Sequence, residues 1–189
     1  MIDRRQAVAD LLRDRGDNLL VVAGLGAPAW DCTAAGDHDL TFPLWGAMGG
    51  AVPMGLGLAQ ARPDKRVMVI TGDGEMLMGI GSLSAVGARR PKNLAIVVLD
   101  NEHYGETGMQ QTNTGRGTDL AAVAKASGIP VVATMGSKAR LDEAVNLART
   151  AQGPVFVVLK IDREDQELVL PPRDGVQLKE RFRAALGAG

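Results

Sequence analysis

Residues 67–108, VMVITGDGEMLMGIGSLSAVGARRPKNLAIVVLDNEHYGETG, contain the pattern that decides the fold. The runs Val67–Thr71 and Leu94–Leu99 are short, unbroken and rich in Val and Ile, which is typical of strands buried on both faces. The segment between them has a roughly helical character and stops at Arg89-Arg90-Pro91, where the proline cannot continue a helix. The order strand, helix, strand predicts a βαβ unit in which the two strands run parallel.

Each predicted strand ends in a polar turn, Gly72-Asp73-Gly74 after the first and Asp100-Asn101 after the second. Ligands of parallel α/β sheets bind beyond the carboxyl ends of the strands, where both turns fall. Asp73 offers a carboxylate oxygen and Asn101 an amide oxygen, and Mg²⁺ prefers oxygen ligands that it shares with phosphates and water. The glycines allow a phosphate to approach the backbone closely. The two turns therefore predict a site for Mg²⁺ and a diphosphate, with two ordinary turns as the alternative.

Gly-Asp-Gly followed 25 residues later by Asp-Asn resembles the motif of thiamine diphosphate-dependent enzymes, usually written GDG and then Asn-Asn. The resemblance implies that thiamine diphosphate and Mg²⁺ are the cofactors. The metal ligands that the resemblance implies are Asp73, Asn101 and the backbone carbonyl of His103. It implies as cofactor-binding residues Gly72, Gly74, Glu75, Asn101, Tyr104 and Gly105. The mouth of the site would then be formed by Glu106, Thr107, Gly108, Gln110, Gln111 and Thr112.

Residues 43–66, PLWGAMGGAVPMGLGLAQARPDKR, are similar to the segment that holds the aminopyrimidine ring in the same enzymes. By that resemblance Gly46 accepts a hydrogen bond from the cofactor's 4′-amino group, and Ala47 lies beside it. Met48 would be the catalytic wedge that holds the cofactor in its bent conformation. The alternative for Met48 is an ordinary methionine of the core. The glycines of this segment cost helix stability, so we expect them to lie against a ligand or a second subunit.

The resemblance covers roughly residues 5–160 and is strongest to the sulfopyruvate and phosphonopyruvate decarboxylases, in the motifs LMGIGSL, PKNLAIVVLDNEHYGETG and the Gln-x-Thr at 110–112. It implies a small, β-type, diphosphate-binding subunit of a 2-keto acid decarboxylase acting on a short anionic 2-keto acid. The partner would be a large, α-type subunit whose pyrimidine-binding domain carries the glutamate that contacts the cofactor, which makes a hetero-oligomer. The alternatives are a carboligase subunit of the acetolactate synthase type and a non-catalytic regulatory subunit.

The sequence differs from the family pattern in three ways, and each difference leads to an expectation. Asp100 replaces the commoner asparagine and adds a negative charge beside the metal. Glu75 stands where a small residue is usual, and its carboxylate would repel a diphosphate, so we expect only its backbone N–H to serve. No basic cluster is evident that could hold a sulfonate or phosphonate, and Arg116 is interpreted as a solvated arginine. We therefore expect the partner subunit to supply those cations.

Outside the motifs, the periodicity predicts one domain over residues 1–189, α/β and doubly wound, with a mostly parallel sheet and helices on both faces. Residues 162–189 are expected to form a charged tail with a last helix. Residues 31–42 are polar and are predicted to be irregular, and His38 among them is interpreted as a solvated loop residue rather than a catalyst. Further elements are predicted from the pattern: a helix capped by Asp3, strands over 18–23, 129–133 and 154–161, and helices capped by Asp119 and Ser137.

The bulk composition excludes several classes of protein. The formal net charge is −1, which gives no indication of binding to nucleic acid or to an anionic membrane. The single cysteine, Cys32, excludes an internal disulfide framework and suits a reducing compartment. No apolar run approaches the length of a membrane span, and the first residues do not resemble a signal peptide. A cytoplasmic location is the expectation.

Overall fold

The structure is a computed structural model that describes residues 1–164 and 166–187, and it contains two sheets. The strands are β1 Leu19–Ala23, β2 Thr41–Pro43, β3 Arg66–Gly72, β4 Leu94–Asp100, β5 His103–Tyr104, β6 Gln110–Gln111, β7 Val131–Met135 and β8 Val155–Lys160. The main sheet has the order β2-β1-β3-β4-β8-β7, and every neighbouring pair in it is parallel. Strands β5 and β6 form a short antiparallel hairpin.

Eight α-helices precede, connect or follow these strands in the described part of the chain. They are α1 Arg4–Leu12, α2 Ala27–Ala34, α3 Ala51–Ala61, α4 Asp73–Met78, α5 Ser82–Arg89, α6 Leu120–Ala126, α7 Leu141–Thr150 and α8 Gly175–Ala185. Three of them begin at an aspartate whose side chain accepts a backbone N–H of the first turn, namely Asp3, Asp119 and Asp174. Such caps satisfy N–H groups that have no partner within the helix.

The sheet separates two apolar clusters, one on each face. Helices α1, α2 and α7 pack on the first face, and helices α3, α4, α5, α6 and α8 contribute to the second. Strands β1 and β4 are buried along their whole length, and alternate residues of each strand belong to opposite clusters. This two-sided burial explains why the central strands have unbroken apolar sequences. The predicted doubly wound α/β architecture is confirmed.

The prediction that residues 31–42 are irregular is confirmed for residues 35–40 and was wrong at both ends of the range. Helix α2 extends to Ala34, and β2 begins at Thr41. The polar Asp31 suggested a solvated loop, but its side chain is fully buried because Arg4 and Arg5 both bind its carboxylate. A charged residue with such partners is compatible with a buried helix face.

Other boundaries differ by a few residues. Strand β7 begins at Val131, two residues after the predicted start, because Pro130 has no N–H to donate. The helical segment after β3 is divided into α4 and α5 at Gly79-Ile80-Gly81. Ser137 precedes a short 3₁₀ turn before α7 and makes no side-chain cap. The predicted tail contains α8, and residues 165, 188 and 189 of it lie outside the described part.

None of the helices in the described part of the chain combines the length and the apolar composition needed to cross a lipid bilayer.

Candidate functional site

A cavity of about 180 Å³ lies at the carboxyl ends of β1, β3 and β4. The chain crosses from β1 to β2 in one direction along the sheet and from β3 to β4 in the other, so the cavity lies at the point where the connections diverge. This is the position at which open α/β sheets bind ligands. The walls come from the loop after β1, the turn after β3 and the segment after β4.

Most of the predicted site residues border this one cavity. They are Met48, Gly72, Asp73, Gly74, Glu75, Asn101, His103, Tyr104 and Gly105. Gly46 and Ala47 are exposed and do not border it. A volume of about 180 Å³ is small beside the roughly 300–1,000 Å³ of typical small-molecule pockets, so it suits part of a cofactor rather than a whole one.

Asp73 is the most constrained of these side chains. Its residue is 2% exposed, and its Oδ2 atom accepts the hydroxyl groups of Thr112 at 2.6 Å and Thr114 at 3.0 Å. Burial raises the pKa of the Asp73 carboxyl and the charge of Asp100 adds to this, while the threonine hydroxyls oppose it. Among the described residues, Oδ1 of Asp73 receives no side-chain hydrogen bond, so it remains available to a cation.

A second buried carboxylate lies beside the first. The hydroxyl oxygen of Thr114 lies 2.9 Å from Oδ1 of Asp100 and 3.0 Å from Oδ2 of Asp73, so its one proton is shared between the two aspartates. Lys160 neutralises Asp100 at 2.7 Å and also binds Glu102 at 3.0 Å. The extra charge that Asp100 introduces is therefore balanced within the fold. Asp73 has no such partner among the described residues, and its burial favours a bound cation.

Asn101 begins a tight turn that holds its side chain in place. Its Oδ1 atom accepts the backbone N–H of His103 at 2.9 Å, and its carbonyl oxygen lies 3.0 Å from the His103 ring. The β5–β6 hairpin follows directly and pairs His103 with Gln111. The hairpin carries the chain back so that Thr112 and Thr114 reach Asp73. Oxygen-rich groups from β3 and β4 thus fit the donor set that Mg²⁺ and a diphosphate require.

Glycine is required at Gly74, because a Cβ atom there would overlap the ring of Tyr104. Gly72 faces open space, with nothing within 4 Å of a Cβ atom built on it. The Glu75 side chain turns inward, where its carboxylate accepts the Thr71 hydroxyl at 2.8 Å and the Ala51 N–H at 3.4 Å. Burial raises the pKa of Glu75, and the bond from Thr71 opposes that change. These contacts tie the turn after β3 to the start of α3.

The loop that carries Gly46, Ala47 and Met48 is exposed on this chain. Ala47 has a φ of 57°, a conformation that is uncommon outside glycine. Met48 is 40% exposed and borders the cavity, so it is not the core methionine that the alternative reading required. Backbone atoms of Gly49 and Gly79 are in close contact, which fixes the loop against the end of α4.

Sequence reasoning missed Thr114, Lys160 and Arg4 as residues of this site. Thr112 was expected at the mouth but is fully buried against Asp73. Arg4 also borders the cavity, although the sequence shows no basic cluster that could hold a substrate anion. The sheet order, the β5–β6 hairpin and the bridge between Ile2 and Ile161 bring these residues together, and no local sequence pattern marks them.

His38 lies away from the cavity, near Asp37 and Asp39. Its Nδ1 atom accepts the N–H of Leu40 at 3.0 Å, so the ring closes a turn before β2. Burial lowers the pKa of His38, and the nearby Arg15 lowers it further. His38 is therefore a half-buried residue that closes a turn, rather than the solvated loop residue that was expected, and it lies away from the cavity.

Residues 27–159 match the family described as thiamine pyrophosphate enzyme, C-terminal TPP binding domain. Thiamine pyrophosphate is another name for thiamine diphosphate. The match includes the residues of the turns after β3 and β4.

Similar proteins include two named for sulfopyruvate decarboxylase. The subunit beta from Methanocaldococcus jannaschii is 34% identical over 185 residues, which is 97% of this chain and 96% of that protein. The sulfopyruvate decarboxylase of Methanosarcina acetivorans is 33% identical, and the match covers 97% of this chain but 47% of that protein. Phosphonopyruvate decarboxylase from Streptomyces viridochromogenes is 37% identical, over 96% of this chain and 45% of that protein. The chain therefore corresponds in length to a beta subunit and to about half of the longer relatives.

Among solved structures, a Mycobacterium smegmatis protein described as thiamin diphosphate-dependent superimposes with a TM-score of 0.70. The match covers 86% of this chain and 32% of that protein at 22% sequence identity. At this level of sequence identity, the structural similarity supports the assignment of the fold alone.

Proposed function

The chain belongs to the thiamine pyrophosphate enzymes as their C-terminal TPP binding domain, and from that premise we propose that it is the diphosphate-binding subunit of a 2-keto acid decarboxylase. The substrate is a short anionic 2-keto acid, with 3-sulfopyruvate first and 3-phosphonopyruvate second, and the products are the aldehyde and CO₂. The names of the similar proteins support this choice of substrates.

One observation carries the proposal. Asp73, Asn101, the Gly72–Gly74 turn and Met48 border a single cavity. A diphosphate with its Mg²⁺ needs oxygen ligands and accessible backbone, and the reactive part of the cofactor needs a position beyond them. The residues that line the cavity include candidates for each of these roles.

Thiamine diphosphate, when bound, supplies an electron sink for the electrons released as a 2-keto acid loses CO₂. The residues of this chain hold and orient it. Asp73 and Asn101 offer oxygens to Mg²⁺, with the His103 carbonyl as the proposed third ligand. Gly72, Gly74 and the Glu75 N–H lie where the diphosphate is proposed to bind, with Tyr104 and Gly105 beside them. The apolar side chains of Leu25, Pro28 and Ile161 limit water on the remaining wall.

The glutamate that must contact the aminopyrimidine has no evident source in the described part of this chain. Glu75 is held by Thr71 and the backbone of Ala51, and Glu102 is paired with Lys160 and Arg163. Glu106 lies against the loop after β1, where it would be within 3.0 Å of a Cβ atom built at Gly26. These placements support a partner subunit that provides the glutamate.

Exposed apolar side chains support the same conclusion. Met48 is 40% exposed, Met54 42% and Met78 62%. The Gly49–Gly79 contact places the loop of Met48 beside the end of α4, where Met78 lies. Large exposed apolar side chains grouped in this way are typical of surfaces that another protein covers. We place the large subunit on this surface, with Gly46 and Ala47 at the shared cofactor.

The test compares kcat/KM for sulfopyruvate, phosphonopyruvate and pyruvate, using the enzyme assembled with its large subunit. We expect the two anionic substrates to be preferred and CO₂ to be released in equal amount to the aldehyde. Preference for pyruvate with acetolactate as the main product would replace this proposal with the carboligase.

A further inference from the structure

Arg4 occupies an unusual place for an arginine. Its residue is 9% exposed, and it lies in the first turn of α1, where a positive charge is disfavoured by the helix dipole. Ile2 forms a parallel bridge with Ile161, which places this segment beside the carboxyl end of β8. The side chain therefore reaches the wall of the cavity that holds Asp73.

A buried aspartate holds Arg4 there. The Asp31 carboxylate is 0% exposed and accepts Nη1 of Arg4 at 2.8 Å and Nε of Arg5 at 3.0 Å. One carboxylate thus faces two guanidinium groups, and the set of three keeps a net charge of +1. In the described part of the chain this is the one side-chain hydrogen bond that Arg4 donates, so most of its five N–H groups are available.

The two arginines point in different directions. The Nη2 atom of Arg5 donates to the carbonyl of Glu167 at 2.6 Å, and Arg5 borders a different cavity with Met1 and Gln6. Arg4 borders the cavity of Asp73 and Asn101. Arg4 and Arg5 therefore share Asp31 as a partner, but of the two it is Arg4 that borders the cavity of Asp73.

Charged groups of both signs border the cavity. Three carboxylates border it, those of Asp73, Glu75 and Glu106. Among the described residues on its wall, Arg4 is the one whose charge is permanent and positive. Mg²⁺ does not fully balance a diphosphate together with these carboxylates. A guanidinium group matches the paired oxygens of a phosphate and suits this task.

We propose that Arg4 binds a tetrahedral oxyanion in this cavity, and that this oxyanion is the diphosphate of the cofactor. The other source of the same chemistry is the sulfonate or phosphonate of the substrate. The diphosphate is favoured because Arg4 shares its cavity with the Gly72–Gly74 turn and Asn101. The inference rests on the proposed function, since it assumes that the chain binds this cofactor.

The test is calorimetric titration of the full chain with thiamine diphosphate in the presence of Mg²⁺, repeated with inorganic pyrophosphate. The variants are Arg4→Gln, Arg4→Lys and the matched control Arg5→Gln. Each glutamine variant removes one of the two partners of Asp31, so we expect similar losses in melting temperature without ligand. We expect Arg4→Gln to weaken both ligands about 10- to 100-fold, as loss of a charged hydrogen bond does. Arg4→Lys should bind with intermediate affinity, and Arg5→Gln as the wild type.

The possible results distinguish the inference about Arg4 from the proposed function of the chain. Equal binding by Arg4→Gln and Arg5→Gln, with a wild-type chain that binds, overturns the inference and leaves the proposed function standing. Unchanged cofactor binding together with a raised KM for sulfopyruvate in the assembled enzyme assigns Arg4 to the substrate, which also overturns it. A wild-type chain that binds neither ligand overturns the proposed function and this inference with it.

Discussion

At the scale of single residues, Asp73 combines full burial, two hydroxyl donors on one oxygen and a second carboxylate nearby. A buried carboxylate without a cation is costly, and its raised pKa expresses that cost. Thr114 holds Asp73 and Asp100 in a common network, and Lys160 pairs with Asp100 but not with Asp73. The network therefore positions one uncompensated charge at the wall of the cavity, where Mg²⁺ is proposed to bind.

Asp73→Asn tests that charge with little change of shape. The amide oxygen can still accept the threonine hydroxyls, so the fold should persist, but the only anionic ligand is lost. We expect Mg²⁺-dependent binding of thiamine diphosphate to be abolished. Asn101→Ala should weaken it less, because water can replace a neutral ligand. Titration calorimetry with and without Mg²⁺ measures both effects, and wild-type affinity in Asp73→Asn would exclude the metal assignment.

Met48 gives a prediction of a different kind. Because its side chain is 40% exposed, Met48→Ala should change the free energy of unfolding little. The loss of the wedge should lower kcat of the assembled enzyme more than it weakens cofactor binding, since orientation is what is lost. Met68→Ala in β3 is the control, because Met68 is fully buried and its truncation should cost about 2–5 kcal/mol of stability. Unchanged kcat in Met48→Ala would contradict the role of the wedge.

At the scale of elements, helix α3 shows how glycines divide between packing and surface. A Cβ atom at Gly55 would overlap Cγ2 of Val69 in β3, so this glycine allows α3 to lie close to the sheet. Gly57 has nothing within 4 Å of such an atom and is exposed. The expectation that the glycines of this segment all serve a ligand or partner is too broad, because Gly55 serves the core.

The pair Gly55→Ala and Gly57→Ala provides a matched measurement on one helix. We expect Gly55→Ala to lower the free energy of unfolding by about 1–3 kcal/mol through overpacking. Gly57→Ala should raise it by up to about 1 kcal/mol, since alanine favours a helix over glycine. Chemical denaturation of the isolated chain decides this. Equal effects from the two changes would show that α3 does not pack on β3 as described.

An element could be predicted from the sequence when the residues that determine it lie close together along the chain. The βαβ unit and its turns follow from apolar runs and Gly-Asp-Gly, which lie within a few residues of each other. The last part of helix α2, residues 31–34, was predicted to be irregular because the burial of Asp31 depends on Arg4 and Arg5 in another helix. Arg4 was missed for the same reason, since its place at the cavity follows from the pairing of Ile2 with Ile161. Contacts between residues so far apart in the sequence leave no local pattern by which they could be predicted.

At the scale of the whole molecule, the chain is proposed to hold one end of the cofactor and to leave the other end exposed. Asp73 and Asn101 lie in the cavity, whereas Gly46 and Ala47 lie on an open loop. The similar proteins have either the length of this chain, as a subunit beta, or about twice that length in one chain. Both arrangements agree with a function completed by a second domain.

The most direct test of this account measures CO₂ release from sulfopyruvate by the purified chain with saturating thiamine diphosphate and Mg²⁺, first alone and then with the large subunit added. Binding alone should stabilise the chain by about 2.7 kcal/mol at a hundredfold excess over Kd, which verifies that the site is loaded. We expect no turnover by the loaded chain alone and full turnover once the large subunit supplies its glutamate. Full turnover by the chain alone would contradict the account.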